Sequence, residues 1–275
     1  MRLIKKGSLS KINFSEIYKY RYFIYNVFYR NITVIFKQTA FGYLWRILIP
    51  ILQTGLIAVV FSGIANMATD EIHPFMFYYS GMIVWILFQN NVTKVSDTFL
   101  NYGHFLRNIY VPKLCFPIAI ILENIFLFSI NFISFIIIYL LLIFKGNSVD
   151  FNSQIIVFLP IIILYISFLG MIFGLITALL SAKFRDLRFI VQNTMQVFFY
   201  GTPIVYSINT IPENYHFIFL LNPIVFLVDY FRNLFFSVSN VGYNYIFASI
   251  IITIIMSFIV VYLFKRISGN IVDNV

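Results

Sequence analysis

The sequence predicts an all-α membrane protein with six transmembrane helices, and three observations lead to this fold class. Hydrophobic residues make up 61% of the 275 residues and charged residues only 11%, about half the charged share of a soluble domain. Apolar stretches recur at lengths near the roughly 20 residues that a helix needs to cross a bilayer. The basic residues lie in short segments between these stretches, as in a polytopic membrane protein.

Five stretches are long and apolar enough to form spans, at residues 44–67, 74–92, 114–144, 155–182 and 245–264. The region 189–236 is less regular, because Pro212 and Glu213 interrupt it and the apolar piece 216–228 is too short to span. We expect a re-entrant helical pair at 203–236, before the last span, because irregular backbone at membrane depth must be satisfied by protein or by a wet cavity. Counted once, this region brings the total to six spans.

The distribution of basic residues predicts the topology. With six spans and both termini in the cytoplasm, only Lys145 and Arg232 of the 19 Lys and Arg residues face outward, so the positive-inside rule is strongly obeyed. A seventh span would place Lys265 and Arg266 outside and weaken this bias. We expect the first span to serve as the targeting signal, because no removable signal peptide is evident.

An amphipathic helix is predicted in the N-terminal region, residues 1–43. Apolar and aromatic side chains recur there every three or four residues and so share one helical face: Phe14, Tyr18, Tyr22, Tyr25, Tyr29, Ile32 and Phe36. Such a helix suits the cytoplasmic membrane interface, where tyrosine rings lie among acyl chains and their hydroxyls reach headgroups. A helix packed on other protein explains the pattern equally well.

The sequence lacks the residues that several classes of protein need for their function. No glycine-rich phosphate loop ending in Gly-Lys-Ser/Thr occurs, so we expect no cofactor in this chain and ATP with Mg only on a partner. His73, His104 and His216 lack ligand spacing, which excludes a metal site, and Cys115 is the only cysteine. Topology explains the net charge of +9 better than nucleic acid does.

One acidic residue, Glu123, lies well inside a predicted span. It either makes a polar contact in a translocation path or is a helix-interface carboxyl, paired with Asn124 or Asn131 or kept protonated by burial. A single such acid does not form the proton relay of an ion-coupled transporter. Acid and base groups for a membrane glycosyltransferase are limited to external carboxylates, which are more simply solvated loop charges.

Four blocks of sequence carry a family resemblance: residues 36–45 (FKQTAFGYLW) followed by Pro50, residues 80–85 (SGMIVW) with Phe88, residues 181–188 (SAKFRDLR), and residues 203–206 (PIVY) with Asn222-Pro223 and Phe231-Arg232. With these blocks in this order, the chain resembles the permease subunit of type-2 ABC exporters of O-antigen, capsular polysaccharide and teichoic acid. The resemblance implies a bacterial inner-membrane protein. It also implies a transmembrane domain at 44–266 and a cytoplasmic tail at 267–275.

The resemblance further implies a partner, namely an ABC ATP-binding subunit present in two copies beside a homodimer of this chain. The loop 94–113 looks like the family's coupling loop, in which Asp97 is expected to cap a short helix and Gly103 to end it. The residues expected to contact the ATPase subunit are Asn101, Tyr102, His104, Arg107, Asn108, Tyr110 and Lys113. An ordinary solvated basic loop is the alternative.

The implied substrate is a glycan linked to undecaprenyl diphosphate, moved from the cytoplasm to the outer face of the membrane. Arginine suits its phosphates, and the candidates for head recognition are Arg46, Lys183, Arg185 and Arg188. The aromatic candidates for a glycan path are Tyr43, Trp45, Tyr78, Tyr79, Trp85, Tyr200 and Tyr206. Both sets also fit simple anchoring at the membrane interface, where Trp, Tyr and Arg gather.

Three alternatives remain open at the level of sequence. A type-2 ABC permease for a drug or a small lipid shares the architecture. A secondary flippase needs no ATPase, and a membrane glycosyltransferase needs catalytic carboxylates.

Overall fold

A computed structural model describes residues 14–37, 42–144, 154–181, 184, 186–238 and 242–267. Within these ranges the chain is helical with connecting turns and contains no strand, which confirms the all-α prediction. The helices are α1 (Phe14–Lys19), α2 (Arg21–Lys37), α3 (Tyr43–Ile57, continuing as a π-helix over Ala58–Ile64), α4 (Pro74–Ser96), α5 (Thr98–Asn101), α6 (Gly103–Asn108), α7 (Cys115–Phe144), α8 (Ile155–Ser181), α9 (Leu187–Tyr200), α10 (His216–Leu220), α11 (Pro223–Phe236) and α12 (Tyr243–Ile267).

The number of spans is only partly settled. Four segments are long and apolar enough to cross a membrane, and a fifth follows if the bent pair Glu213–Leu220 and Pro223–Phe236 is counted as one; the four are Leu44–Ile64, Cys115–Phe144, Ile155–Ser181 and Tyr243–Ile267. Helix α4 is long enough, but polar residues fill its C-terminal half. Helix α9 has 14 residues, about 21 Å, which is less than a hydrocarbon core of roughly 30 Å. The count of six remains a prediction.

The N-terminal helix α2 lies against α7. Ile24 and Val27 are buried in this contact, and the ring of Phe23 meets that of Phe116 edge to face at 5.4 Å between centroids. Four tyrosines on the remaining surface of α1 and α2 are exposed: Tyr18, Tyr22, Tyr25 and Tyr29. The tyrosine stripe is therefore separate from the packing face, and its placement in a membrane interface stays a prediction.

Helix α4 lies at the centre of the fold and packs against α3, α7, α8 and α11. Its side chains Phe77, Tyr78 and Tyr79 are completely buried. Two glycines bring α8 close to it: a Cβ on Gly170 would lie 2.4 Å from Cβ of Asn91, and a Cβ on Gly174 would lie 2.6 Å from Cβ of Val95. Small residues four apart allow such an approach of two helix backbones.

The irregular region is fixed by side chains that bond to the backbone. The helical pieces Glu213–Leu220 and Pro223–Phe236 meet at 103°. At the bend, Oδ1 of Asn222 accepts a hydrogen bond from the backbone N–H of Ile224 at 3.1 Å. Its Nδ2 donates to Oγ1 of Thr202 at 2.8 Å, so the start of α11 is tied to the end of α9. The bent pair agrees with the irregular region expected here, and its re-entrant placement in a membrane stays a prediction.

Arg232 binds three backbone carbonyls inside this region. Its side chain is buried, and the guanidinium donates to the carbonyl oxygens of Pro203, Ile204 and Phe77 at 2.9, 3.0 and 3.1 Å. It lies 3.6 Å from the centre of the Phe77 ring. A Cβ at Gly81 would come within 3.0 Å of Nη2 of Arg232, so this glycine leaves room for the contact.

Replacing Gly174 by alanine is expected to destabilise the protein, because the new methyl group would meet both Val95 and the Val92 carbonyl. Overpacking of this kind costs about 1–3 kcal/mol. Thermal unfolding of the purified protein in mild detergent measures the effect. The matched control is Gly63→Ala, since no atom lies within 4 Å of a Cβ there. Equal melting temperatures for the two variants would contradict the close approach of α4 and α8.

Candidate functional site

A groove of about 400 Å³ lies between α3, α4 and α9. Three carboxamides line it, one from each helix: Gln53, Gln89 and Gln196. The rings of Trp85 and Tyr200 line it as well. We call this site the amide groove.

Helical spacing explains how the sequence builds the amide groove. On α4, the lining positions Met82, Trp85, Ile86 and Gln89 recur at three or four residues and so share one face. On α9, Met195 and Gln196 are followed one turn later by Phe199 and Tyr200. Amides at membrane depth are costly unless they face protein or a wet cavity. The groove is therefore a mainly apolar cleft that carries three amides, which can exchange hydrogen bonds with a polar ligand.

The structure separates the seven aromatic residues expected in a glycan path. Trp85 and Tyr200 line the amide groove, and Trp45 lines a second, smaller cavity. Tyr206 lies beside the groove, because its hydroxyl donates to the carbonyl oxygen of Tyr200 at 2.8 Å.

The other three aromatic residues are not at the grooves. Tyr78 and Tyr79 are fully buried in the core, where the Tyr79 hydroxyl bonds Oγ of Ser134. The side chain of Tyr43 lies outside the described residues. Sequence reasoning missed Gln53, Gln89 and Gln196, although an amide inside an apolar run was a signal that could have found them.

The segment between α4 and α7 forms two short helices, α5 and α6. Helix α5 ends at Asn101 with Tyr102 as its C-cap residue, just before Gly103, so a helix does end where it was expected. The chain then continues helically, because Gly103 is also the first residue of α6. The expected helix cap by Asp97 was wrong, because its side chain makes no cap hydrogen bond. Instead its Oδ1 pairs with Nε of Arg188 at 3.0 Å.

Most residues expected to meet an ATPase subunit are exposed on this segment. They are Asn101, His104, Arg107, Asn108 and Tyr110. Nδ2 of Asn108 and Nε2 of His104 are hydrogen-bonded at 3.0 Å. Tyr102 and Lys113 are buried, so they hold the segment in place rather than present a surface.

A partly buried polar network joins this segment to the rest of the chain. The carboxylate of Glu123, on α7, forms an ion pair with Lys94 near the end of α4. Its second oxygen accepts a hydrogen bond from Nδ2 of Asn31 at 2.9 Å, and Nδ2 of Asn31 also donates to the Tyr102 hydroxyl at 3.0 Å. The guanidinium of Arg30 lies over the Tyr102 ring, 5.4 Å from its centre.

This network corrects the interpretation of Glu123. Its expected partners, Asn124 and Asn131, were wrong, because Asn124 instead donates to Oδ1 of Asn91 at 2.8 Å. Lys94 and Asn31 lie 29 and 92 residues away from Glu123 in sequence, and the spacing of residues along one helix cannot reveal such partners. We call Asn31, Lys94, Tyr102 and Glu123 the coupling network.

The candidate head-recognition cations are found at different places. Arg46 lines the smaller cavity. Arg188 pairs with Asp97, and burial raises the pKa of the Asp97 carboxyl more than this cation lowers it. Lys183 and Arg185 lie outside the described residues. The expected cluster of four is therefore tested only for Arg46 and Arg188, which the structure assigns to separate surroundings.

Removing one partner of the ion pair in the coupling network is expected to cost more than removing both. Lys94→Met would leave the buried Glu123 carboxylate with a neutral partner only, and an unsatisfied buried group costs about 1–3 kcal/mol, more if charged. The double variant Lys94→Met/Glu123→Leu is expected to lose less than the sum of the single variants. Thermal melts of all three measure the interaction energy. Lys37→Met, at the exposed end of α2, is the control, and strictly additive losses would contradict the pairing.

Comparison with known proteins now adds to this geometry. Residues 22–236 match the family described as ABC-2 type transporter. The chain is 23% identical to the O-antigen export system permease protein RfbA of Myxococcus xanthus over 80% of this chain and 83% of that protein. Two proteins of the same name from Klebsiella pneumoniae are 24% and 26% identical, over 82% and 79% of this chain and 86% and 81% of their own lengths. These matches confirm the resemblance seen in the sequence: the chain belongs to the ABC-2 type transporter family, as a type-2 ABC permease.

Proposed function

We propose that this chain is the transmembrane permease subunit of an ATP-driven exporter that moves an undecaprenyl-diphosphate-linked polysaccharide, such as O-antigen, out of the bacterial cytoplasm. It works as a homodimer with two copies of an ATP-binding subunit. It lies in the inner membrane with both termini in the cytoplasm. Relatives named as O-antigen export permeases support the substrate class.

The observation that carries the proposal is the amide groove. A polysaccharide crossing a membrane presents many hydroxyl groups and the apolar faces of its sugar rings. Gln53, Gln89 and Gln196 offer donors and acceptors to the hydroxyls, and Trp85 and Tyr200 offer flat surfaces for the rings. No strongly charged group among the lining residues holds the chain in place, which suits a polymer that must keep moving.

A second copy of the chain supplies the missing wall of the groove. The outer surface of α3 and its π-helical continuation is apolar and exposed in the single chain, including Leu52, Leu56 and Val59. Within one copy, no residue of the π-helical continuation Ala58–Ile64 is buried. Packing α3 against a second copy covers this surface and encloses the groove in a central path.

ATP-driven motion enters through α5 and α6. Their exposed polar residues, among them Arg107 and Asn108, form the surface for the ATP-binding subunit. The coupling network then connects this surface to α2, α4 and α7. Because its ion pair is buried on the Glu123 side, a displacement of Tyr102 is transmitted rather than absorbed.

Gln196→Leu is expected to reduce export about fivefold, because the loss of a hydrogen-bonding group is worth about 1 kcal/mol. Surface polysaccharide is measured in cells whose own permease has been deleted and replaced by the variant. The matched control is Gln192→Leu, one turn earlier on α9 and exposed, but outside the groove. Equal export by the two variants, at equal protein levels, would argue against the groove as the glycan path.

Arg107→Glu is expected to lower the affinity of the chain for the ATP-binding subunit about tenfold, since a reversed charge at an interface repels the former partner. The tagged chain is purified in mild detergent after co-expression with a candidate ABC ATP-binding subunit from the same organism, and the recovered ATPase is quantified. Lys265→Glu, exposed at the end of α12, is the control.

The same preparation separates the alternative functions. An ATPase that never co-purifies with the wild-type chain, together with transport in liposomes without ATP, would identify a secondary flippase. An assembled complex whose ATPase activity responds to a drug or a small lipid, and not to the polysaccharide-linked carrier, would identify the smaller substrate class.

A further inference from the structure

A second cavity of about 180 Å³ lies nearer the start of α3, between α3, α4 and α7. Its volume far exceeds the roughly 15 Å³ that a single buried water requires. Arg46 and Trp45 line it near the start of α3, and Asn90, Asn124 and Asn131 line it from α4 and α7. Gln53 lines both this cavity and the amide groove.

The asparagines around this cavity have unused hydrogen-bonding capacity. Asn124 donates to Asn91, but its own Oδ1 is buried without a hydrogen-bond partner. Oδ1 of Asn131 and Nδ2 of Asn91 are buried and unpartnered as well. Asn124 and Asn131 are 2% and 6% exposed. Of these residues, Asn124 and Asn131 line the cavity itself, two turns apart on α7. Unpartnered amide atoms are unusual at membrane depth, where hydrocarbon offers no substitute for a missing partner.

The positive charge of Arg46, at one end of the cavity, indicates that the ligand carries a negatively charged group. Among the described residues, no carboxylate forms an ion pair with Arg46. Under the proposed topology Arg46 lies near the cytoplasmic headgroups, where its planar guanidinium suits a phosphate. Apolar residues, among them Ile49 and Phe128, line the rest. The cavity therefore combines a cation, amide acceptors and an apolar wall in one place.

We propose that this cavity binds the head of a lipid that carries both a phosphate and hydroxyl groups. The phosphate pairs with Arg46, and the hydroxyls donate to Oδ1 of Asn124 and Asn131 after small movements of these side chains. A phosphate supplies acceptors only, so hydroxyls are needed for the amide oxygens. An ammonium head also donates, but the positive charge of Arg46 disfavours it. The inference uses the proposed topology and does not depend on transport through the amide groove.

Two lipids offer this chemistry, and the experiment distinguishes them. One is the polyprenyl diphosphate carrier with its first sugar, and the other is phosphatidylglycerol. The purified full-length chain, in complex with its ATPase where that assembles, is titrated with each lipid and observed by native mass spectrometry. Phosphatidic acid, which has the phosphate without head hydroxyls, and phosphatidylethanolamine are the reference lipids.

At least one of the two hydroxyl-bearing lipids is expected to bind about tenfold more tightly than phosphatidic acid, a difference of about 1.4 kcal/mol. Asn131→Leu is expected to remove this preference while leaving phosphatidic acid binding unchanged. Arg46→Gln is expected to weaken binding of all the anionic lipids together. If Asn131→Leu does not fold, as judged by thermal unfolding, Asn131→Ser shortens the side chain without adding bulk and is expected to reduce the preference.

The control is Asn193→Leu, an exposed position on α9 that lines neither cavity, and its lipid preference is expected to match that of the wild type. Equal binding of all four lipids by the wild type, or a preference that survives both Asn131 substitutions, would overturn the proposal and leave the cavity as a site for water or bulk lipid. Failure of the export proposal shows separately, as an ATPase that does not assemble or a Gln196→Leu variant with normal export.

Discussion

The close contact between α4 and α8 is the constraint on which the rest of the fold depends. Helix α4 is too polar in its C-terminal half to face lipid, because Gln89, Asn90, Asn91 and Lys94 follow one another within six residues. Gly170 and Gly174 remove the side chains that would hold α8 away from it. Once α4 is buried in this way, its remaining faces pack against α3, α7 and α11. Both cavities are then formed at its edge.

A second constraint acts at the other end of α4. The chain between α9 and α11 has little regular structure, so its carbonyl and amide groups need partners that a continuous helix would provide. Arg232 and Asn222 supply them through side chains rather than backbone ladders. Arg232 also bonds the Phe77 carbonyl, which makes the irregular region a rigid cover over the start of α4. Rigidity here allows the nearby Tyr200 and Tyr206 to keep a fixed position beside the amide groove.

Sequence reasoning found what depends on local pattern and missed what depends on contacts between distant segments. The apolar lengths of α3, α7, α8 and α12 identified these helices, and the interruption at Pro212 and Glu213 before a short apolar piece identified the irregular region. The family motifs around Trp85 located one wall of the groove. The partners of Glu123 could not be found, since Asn31 and Lys94 come from other helices and only packing brings them together.

Two of the aromatic candidates, Tyr78 and Tyr79, lie in the core for a related reason. Tyr79 points about 100° away from Tyr78 around α4, whereas Tyr78 and Trp85, seven residues apart, share nearly one direction at different heights along the helix. Which face of α4 meets the groove is decided by α8, because Gly170 and Gly174 fix the rotation of α4 about its own axis. The rotation of α4 about its axis cannot be predicted from the sequence of α4 alone. Amides such as Gln196 mark the wet face more reliably than aromatic rings, which are common on every face of this chain.

The coupling network also has a mechanical consequence. Tyr102 is bonded to Asn31, and Asn31 lies on the same helix as the exposed rings of Tyr22, Tyr25 and Tyr29. A displacement of the α5 and α6 segment must therefore either break the hydrogen bonds between Tyr102 and Asn31 or rotate α2 about its contact with α7. Because the tyrosine rings lie on the surface of α2 away from α7, such a rotation would displace them further than the residues in the contact. Work done by nucleotide binding would then reach the lipid surface beside the protein as well as the helices within it.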